Sequence, residues 1–194
     1  GLPHIDFFQQ IGFKGLIHPT GSVGLLAKKP RTLRPFTSPP KLRYICVARL
    51  IDCKNLRFLI EQFNINGLPL TIVGQGELET ELKAMAKPNI KFTGFIENDK
   101  IGEVYQAHDV FILPSTYEPW GLVVEEALYW GLPVIVSNRV GAGPDMVRDL
   151  HTGEIFDIED PESLGKAIRE ISANYTKYRK AILAIDWDER ERLQ

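Results

Sequence analysis

From Leu42 onward, apolar and polar positions fall into blocks that switch between two periods. The run LRYICVARL (42–50) is a near-continuous apolar block rich in Tyr, Ile and Val, the signature of a strand buried on both faces. In 52–63 the apolar residues Leu56, Leu59, Ile60 and Phe63 recur at helical spacing, which predicts an amphipathic helix. The alternation then repeats. Strands are predicted over 68–74 (LPLTIVG), 90–95 (IKFTGF), 109–113, 133–137 (PVIVS) and 153–156 (GEIF). Helices are predicted between them over 77–86, 99–107 and 122–130, with a short helix or turn over 144–150. Leu78, Leu82 and Met85 mark the inward face of the first of these. A last helix over 161–173 turns Leu164, Ile168 and Ile171 inward. Strands that alternate with helices in this way need a parallel sheet covered on both faces. The fold class is therefore α/β, a doubly wound, Rossmann-like parallel sheet.

The two ends of the chain read differently. Residues 1–29 look like a tail, with a short helix around Ile5, Phe7 and Phe8 that Gly12 ends, and a short strand at Leu16-Ile17. Four prolines in PRTLRPFTSPP (30–40) suit a linker or extended arm. The last stretch, YTKYRKAILAIDWDERERLQ (175–194), reads as a helix, a break near Asp186 and a second helix. The expected organisation is a tail and linker over 1–40, a Rossmann-like domain over 41–173 and terminal helices over 174–194.

Composition narrows the class. Charged residues make up 25% of the 194 positions and hydrophobic ones 44%, so the chain can bury one ordinary core. No apolar run approaches the ~20 residues of a membrane span, and the start shows no signal-peptide pattern. Two cysteines, Cys46 in an apolar run and Cys53 in a loop, make no disulfide framework, which favours a reducing, cytoplasmic setting. The four histidines are scattered without metal-ligand spacing. From Phe7 to Ile51 there are eight Lys and Arg and no acid. That basic quarter suits phosphates or an anionic membrane face, or is simply a solvated linker. It lacks the aromatic–basic interleaving of nucleic-acid binders, so no nucleic-acid partner is expected.

The chemistry gathers at strand ends. The stretch PSTYEPWGLVVEEALYWGLP (114–133) holds Glu118 and Glu126 on either side of a helix start. Pro119 keeps Glu118 extended, Gly121 permits the turn, and Glu126 falls one helical turn into the next element. Free N–H groups at that helix start suit a phosphate, and carboxylates accept hydrogen bonds from sugar hydroxyls. Glu125 is turned about 100° from Glu126, so only one of the two can face a crevice. Arg49 leaves the end of the first strand and Lys54 opens the next helix, two cations suited to a diphosphate. Arg and Lys are common at helix ends, but a Lys at an N-terminus opposes the helix dipole. Gly74-Gln-Gly76 does not complete G-x-G-x-x-G, because Glu79 holds the last position. A nicotinamide dinucleotide site is thereby disfavoured, and on its own the pair is better read as a tight turn. Phe95, in TGFI, reads on its own as a core residue, with a base-ring border as the other option.

These residues carry a resemblance. VARLIDCKN, TIVGQGEL, IKFTGFI, YQAHDVFILPSTYEPWGLVVEEALYWGLPVIVS and GEIFDIEDPESL resemble the C-terminal, donor-binding domain of GT-B glycosyltransferases of glycosyltransferase family 4. The likeness spans about 42–173 and weakens through Ile185-Asp-Trp187. It implies a retaining hexosyltransferase that takes a UDP- or GDP-sugar and needs no bound metal or other cofactor. By the resemblance, Arg49 and Lys54 hold the diphosphate and Glu126 binds the ribose. Glu118 and the backbone of Trp120, Gly121 and Leu122 surround the transferred sugar. The N–H groups of Leu122 and Val123 meet phosphate oxygens, Phe95 and Ile96 border the base, and Gly74 lets the backbone approach. The family's acceptor site lies in a first domain that this chain lacks. The chain is therefore expected to bind donor weakly and transfer nothing alone, with membrane contact belonging to the full enzyme. A non-catalytic sugar-nucleotide-binding module is the alternative. An epimerase of the same architecture is disfavoured by the glutamate element.

Overall fold

The computed structural model describes residues 8–16, 33 and 41–192. Most of the expected tail and linker lies outside that range, including Ile5, Phe7 and Ile17. Of the short tail elements, residues 8–10 are helical and Gly12 ends the turn, whereas Leu16 is not in a strand.

Six strands form one parallel sheet: β1 (Tyr44–Val47), β2 (Leu70–Val73), β3 (Ile90–Gly94), β4 (Val110–Leu113), β5 (Val134–Ser137) and β6 (Gly153–Phe156). Their spatial order is β3-β2-β1-β4-β5-β6. The order reverses between β1 and β4, and in open parallel sheets the crevice for a ligand lies outside the carboxyl ends at such a reversal. The helices between and after them are α1 (Leu56–Asn66), α2 (Glu79–Met85), α3 (Ile101–Gln106), α4 (Leu122–Tyr129), α5 (Ser163–Leu183) and α6 (Trp187–Arg192). A π-helical turn spans Gly143–Arg148.

Alternating side chains along the central strands feed two separate cores. Tyr44 and Cys46 of β1, with Val110 and Ile112 of β4, pack under α1 and the first part of α5, against Leu59, Phe63 and Leu164. Ile45, Phe111 and Leu113 face the other side, against Val124 and Leu128 of α4 and Tyr105 of α3. The predicted inward residues Leu56, Leu59, Ile60, Phe63, Leu82, Leu164, Ile168 and Ile171 are all buried. Burying both faces of a strand is why its sequence reads as an unbroken apolar run.

One element boundary differs from the sequence expectation, and it has a local cause. The helix expected over 52–63 is divided. Asp52–Lys54 form a single 3-10 turn, Asn55 adopts φ 54°, and α1 begins only at Leu56. Asparagine is one of the few side chains that visits this left-handed region readily. The helices expected over 161–173 and from 175 onward meet at Asn174, whose non-helical φ −117° and ψ 22° kink the element that runs from Ser163 to Leu183. Beyond the kink the helix passes from one core to the other, since Tyr175 and Tyr178 lie in the first and Ile182 in the second. Arg179, buried, donates to the carbonyl of Gly131, tying the helix to the corner between α4 and β5.

Candidate active site

A crevice of about 580 Å³ opens at the carboxyl ends of β1 and β2 and reaches α4. It brings together Arg49, Gly74, Phe95, Ile96, Val123 and Glu126, six of the positions singled out in the sequence. Lys54, Glu118, Trp120, Gly121 and Leu122 do not line it. They form a second group beside it, around the start of α4.

Each wall follows from local chain geometry. Gly74 ends β2 with φ 134°, and a Cβ there would sit 1.9 Å from the carbonyl oxygen of Ala48. Leu50 N–H donates to Gln75 O at 3.0 Å, and Leu78 N–H donates to Leu50 O at 3.1 Å. The two strand ends are thus laced together by backbone, with no room for a side chain at Gly74. Gly74, Gln75 and Gly76 line the crevice, and the tight turn itself falls just after them, where Glu79 N–H donates to Gly76 O at 3.2 Å. Phe95 is 63% exposed and lines the crevice, so the core-packing expectation for it is overturned. The reason is β3 itself: it is the edge strand, and Gly94 with φ 74° turns the chain out of the sheet just before Phe95.

The two adjacent glutamates of α4 separate as their 100° offset requires. Glu125 is buried and accepts the indole N–H of Trp120 at 2.5 Å. This bond draws the Trp120 side chain into the core, leaving only its backbone near the helix start. Glu126 lines the crevice and accepts the Tyr105 hydroxyl at 3.2 Å. Burial holds the Glu126 carboxyl above the usual range; the Tyr105 hydroxyl opposes this, and the neighbouring Glu125 charge reinforces it. Tyr105 is itself fully buried, and its phenol is pushed well above the ordinary value, first by burial and then by Glu126. A carboxylate with one oxygen engaged from below still presents lone pairs to the crevice, where vicinal hydroxyls could donate.

The second group centres on Glu118. Its backbone is held as an added short strand: Glu118 N–H donates to Arg139 O at 3.3 Å, and Gly141 N–H donates to Glu118 O at 2.9 Å. Gly121 adopts φ 98°, and a Cβ there would meet the Glu118 Cγ at 3.2 Å. The Glu118 side chain therefore lies against the residue that opens α4. Its carboxylate forms an ion pair with Lys54, and both side chains are mostly shielded, 15% and 16% exposed. Lys54 stands in the 3-10 turn rather than at a helix N-terminus, which removes the expected conflict with a helix dipole. The first-turn N–H groups of α4, Leu122 and Val123 among them, have no partners within the helix. Arg49 is solvent-exposed at the crevice rim.

Sequence reasoning missed Tyr105, which sits under Glu126, and the 139–141 segment that clamps Glu118. Nothing in the periodicity of α3 distinguishes Tyr105 from any core aromatic. Gly141 and Gly143, directly after β5, were a turn signal that could have drawn attention to the clamp. Among the described residues no group of three His, Cys, Asp or Glu is placed to hold a metal ion. Nor is any helix long and apolar enough to cross a membrane.

Comparison with known proteins gives the same outline. The family model described as glycosyl transferases group 1 matches residues 33–184. The sulfoquinovosyl transferase of Arabidopsis thaliana is 33% identical over 162 residues, covering 71% of this chain and 31% of that protein. The GDP-mannose-dependent alpha-mannosyltransferase of Mycolicibacterium smegmatis is 30% identical over 146 residues, covering 73% and 38%. Among solved structures, the sucrose-phosphate synthase of Thermosynechococcus elongatus superposes with a TM-score of 0.64 at 26% identity, over 80% of this chain and 41% of that one. The chain spans about a third of the length of the curated relatives it matches.

Proposed function

The chain belongs to the group 1 glycosyl transferases, and from that premise we propose that it is the donor-binding half of a retaining hexosyltransferase of glycosyltransferase family 4. The observation that carries the reading is the crevice at the carboxyl ends of β1 and β2, beside the strand-order reversal, which Glu126 and Arg49 both line. In this reading Glu126 accepts the ribose hydroxyls of a UDP- or GDP-sugar. The exposed ring of Phe95, with Ile96 beside it, forms the platform for the base. Gly74 lets the diphosphate approach the backbone. Arg49, Lys54 and the amides of Leu122 and Val123 carry the diphosphate charge, so no metal is required. A relative of 30% identity whose name specifies GDP-mannose supports a nucleotide-sugar donor.

The proposed chemistry breaks the bond from sugar C1 to the β-phosphate oxygen, and the electron pair leaves with the nucleoside diphosphate. The acceptor hydroxyl oxygen bonds to C1 from the same face, and its proton passes to the departing phosphate oxygen. The developing charge is what Arg49, Lys54 and the start of α4 stabilise. Glu118, with the backbone of Trp120, Gly121 and Leu122, borders the sugar. The acceptor, a glycan or lipid-linked sugar, is assigned to a second domain, in keeping with the third of its relatives' length that the chain spans. By itself the chain should bind nucleotide and transfer no sugar.

Calorimetry with UDP, GDP and ADP, free and as their sugars, tests the site on wild type and Glu126→Ala. Binding of one nucleotide series by wild type, lost in the variant, is expected. No binding by any of them, or binding unchanged in the variant, refutes the assignment.

A further inference from the structure

We propose that Glu118 acts as an internal stand-in for a phosphate: it holds Lys54 when the site is empty and competes with the bound nucleoside diphosphate for it. The proposal rests on the site reading above and adds a role for Glu118 that the sugar-side assignment lacks.

Three placements carry it. Lys54 and Glu118 come from the ends of adjacent strands, β1 and β4, and pair although 64 residues separate them. Both are mostly shielded, so the pair is less screened by solvent than a surface ion pair. The Glu118 side chain also rests on Gly121, the residue that opens α4. A carboxylate there lies at the positive end of the helix, where an anionic ligand would also be favoured. The chain thus supplies its own anion to Lys54 on that side. Arg49, by contrast, stands exposed at the rim.

The consequence concerns affinity. A lysine ammonium has three N–H donors, so Lys54 can bridge Glu118 and a phosphate oxygen at once. Two anions on one cation repel each other, and that repulsion opposes diphosphate binding. Free nucleoside diphosphate, the reaction product, carries one more ionisable phosphate oxygen than the sugar donor. It therefore suffers the repulsion more. Glu118 would in this way hold down product affinity and favour exchange of product for fresh donor.

The test is a double-mutant cycle read by calorimetry with the free nucleoside diphosphate that wild type binds. Glu118→Gln keeps the shape and removes the charge, and should tighten binding about three- to tenfold, in the range of one partly shielded charge interaction. Glu118→Asp retracts the carboxylate but keeps the charge, and should give a smaller gain. Lys54→Gln should weaken binding, and adding Glu118→Gln to it should give no gain. The corresponding sugar nucleotide should tighten less than the free diphosphate in Glu118→Gln. Unchanged or weaker diphosphate binding in both Glu118 variants overturns the proposal, as does a gain that persists without Lys54. Thermal melts of each variant establish that it is folded; were Glu118→Gln unfolded, the Glu118→Asp and Lys54→Gln arms still decide. Absence of nucleotide binding by wild type would overturn the site reading itself and this proposal with it, an outcome distinct from the others.

Discussion

Replacing Glu126 by glutamine should separate stability from binding in opposite directions. In the folded chain burial raises the Glu126 pKa, the Tyr105 hydroxyl lowers it, and Glu125 raises it again, for a net rise. The native state therefore keeps its proton to higher pH than the unfolded chain does. By linkage this contribution destabilises the fold increasingly as pH climbs from the ordinary glutamate pKa to the raised folded value, and stays constant above it. Glutamine has no charge to desolvate and still offers Tyr105 an acceptor oxygen. The nucleotide-free variant should be more stable at pH 7.5, by up to ~1 kcal/mol or about 2–4 °C in a domain of this size. At acid pH, where wild type is protonated too, the difference should vanish. Binding should go the other way. One charge-assisted hydrogen bond to a ribose hydroxyl is worth ~1.5–3 kcal/mol, so its loss should weaken the nucleotide about 10- to 100-fold. Wild-type affinity should likewise fall as pH drops into the window where Glu126 gains its proton. Thermal melts with and without nucleotide, from pH 4 to 8, measure both effects. A lower Tm for the nucleotide-free variant at pH 7.5, or an unchanged nucleotide-induced shift, refutes the reasoning.

Other substitutions test single links in the same chain. Phe95→Ala removes an exposed ring, so stability should stay within ~0.5 kcal/mol of wild type; nucleotide affinity should fall about five- to tenfold or more, as loss of base stacking does, and unchanged calorimetric affinity would remove Phe95 from the site. Gly74→Ala forces a Cβ to within 1.9 Å of the Ala48 carbonyl oxygen at φ 134°, and urea denaturation should show a loss of ~2–4 kcal/mol. Trp120→Phe takes the indole N–H from the buried Glu125 carboxylate and should cost ~1–3 kcal/mol in the same assay.

The layers were legible because both faces of the central strands are buried. Burial on both faces writes an unbroken apolar run such as PVIVS or VFIL in the central strands, whereas the edge strands IKFTG and GEIF were legible from their β-branched and aromatic residues and their place between helices. The element carrying Glu118 and Glu126 was legible for a related reason: Pro119, Gly121 and the apolar run after them constrain backbone, and backbone constraints are local. Lys54 shows where local reading stops. Its segment has helical spacing, but Asn55 in the left-handed region divides it. A single residue's φ leaves little trace in a periodicity. Phe95 shows a second limit. Whether an aromatic after an edge strand turns in or out depends on Gly94 and on what lies across the crevice, and both are matters of tertiary placement.

Pairings across the sheet were the part sequence could not supply, and they change the chemical picture most. Read along the chain, Arg49 and Lys54 share one role at the diphosphate, while Glu118 and Glu126 have separate roles but no known supports. The fold gives each a distinct partner or setting. Lys54 and Glu118 cancel each other beside the start of α4, while Arg49 and Glu126 face the crevice with different supports. Glu126 is backed by a buried phenol whose own position depends on α3 packing against α4. Because Tyr105 is fully buried, Tyr105→Phe should act through Glu126 rather than through any ligand. The Tyr105 hydroxyl lowers the Glu126 pKa in the present structure, so its removal should raise that pKa further and shift the pH at which nucleotide affinity falls to higher values. At pH well above that window the affinity should be close to wild type. A titration of affinity against pH checks this: a uniform loss at all pH values would mean that Tyr105 shapes the crevice, whereas a displaced curve means that it tunes the carboxylate.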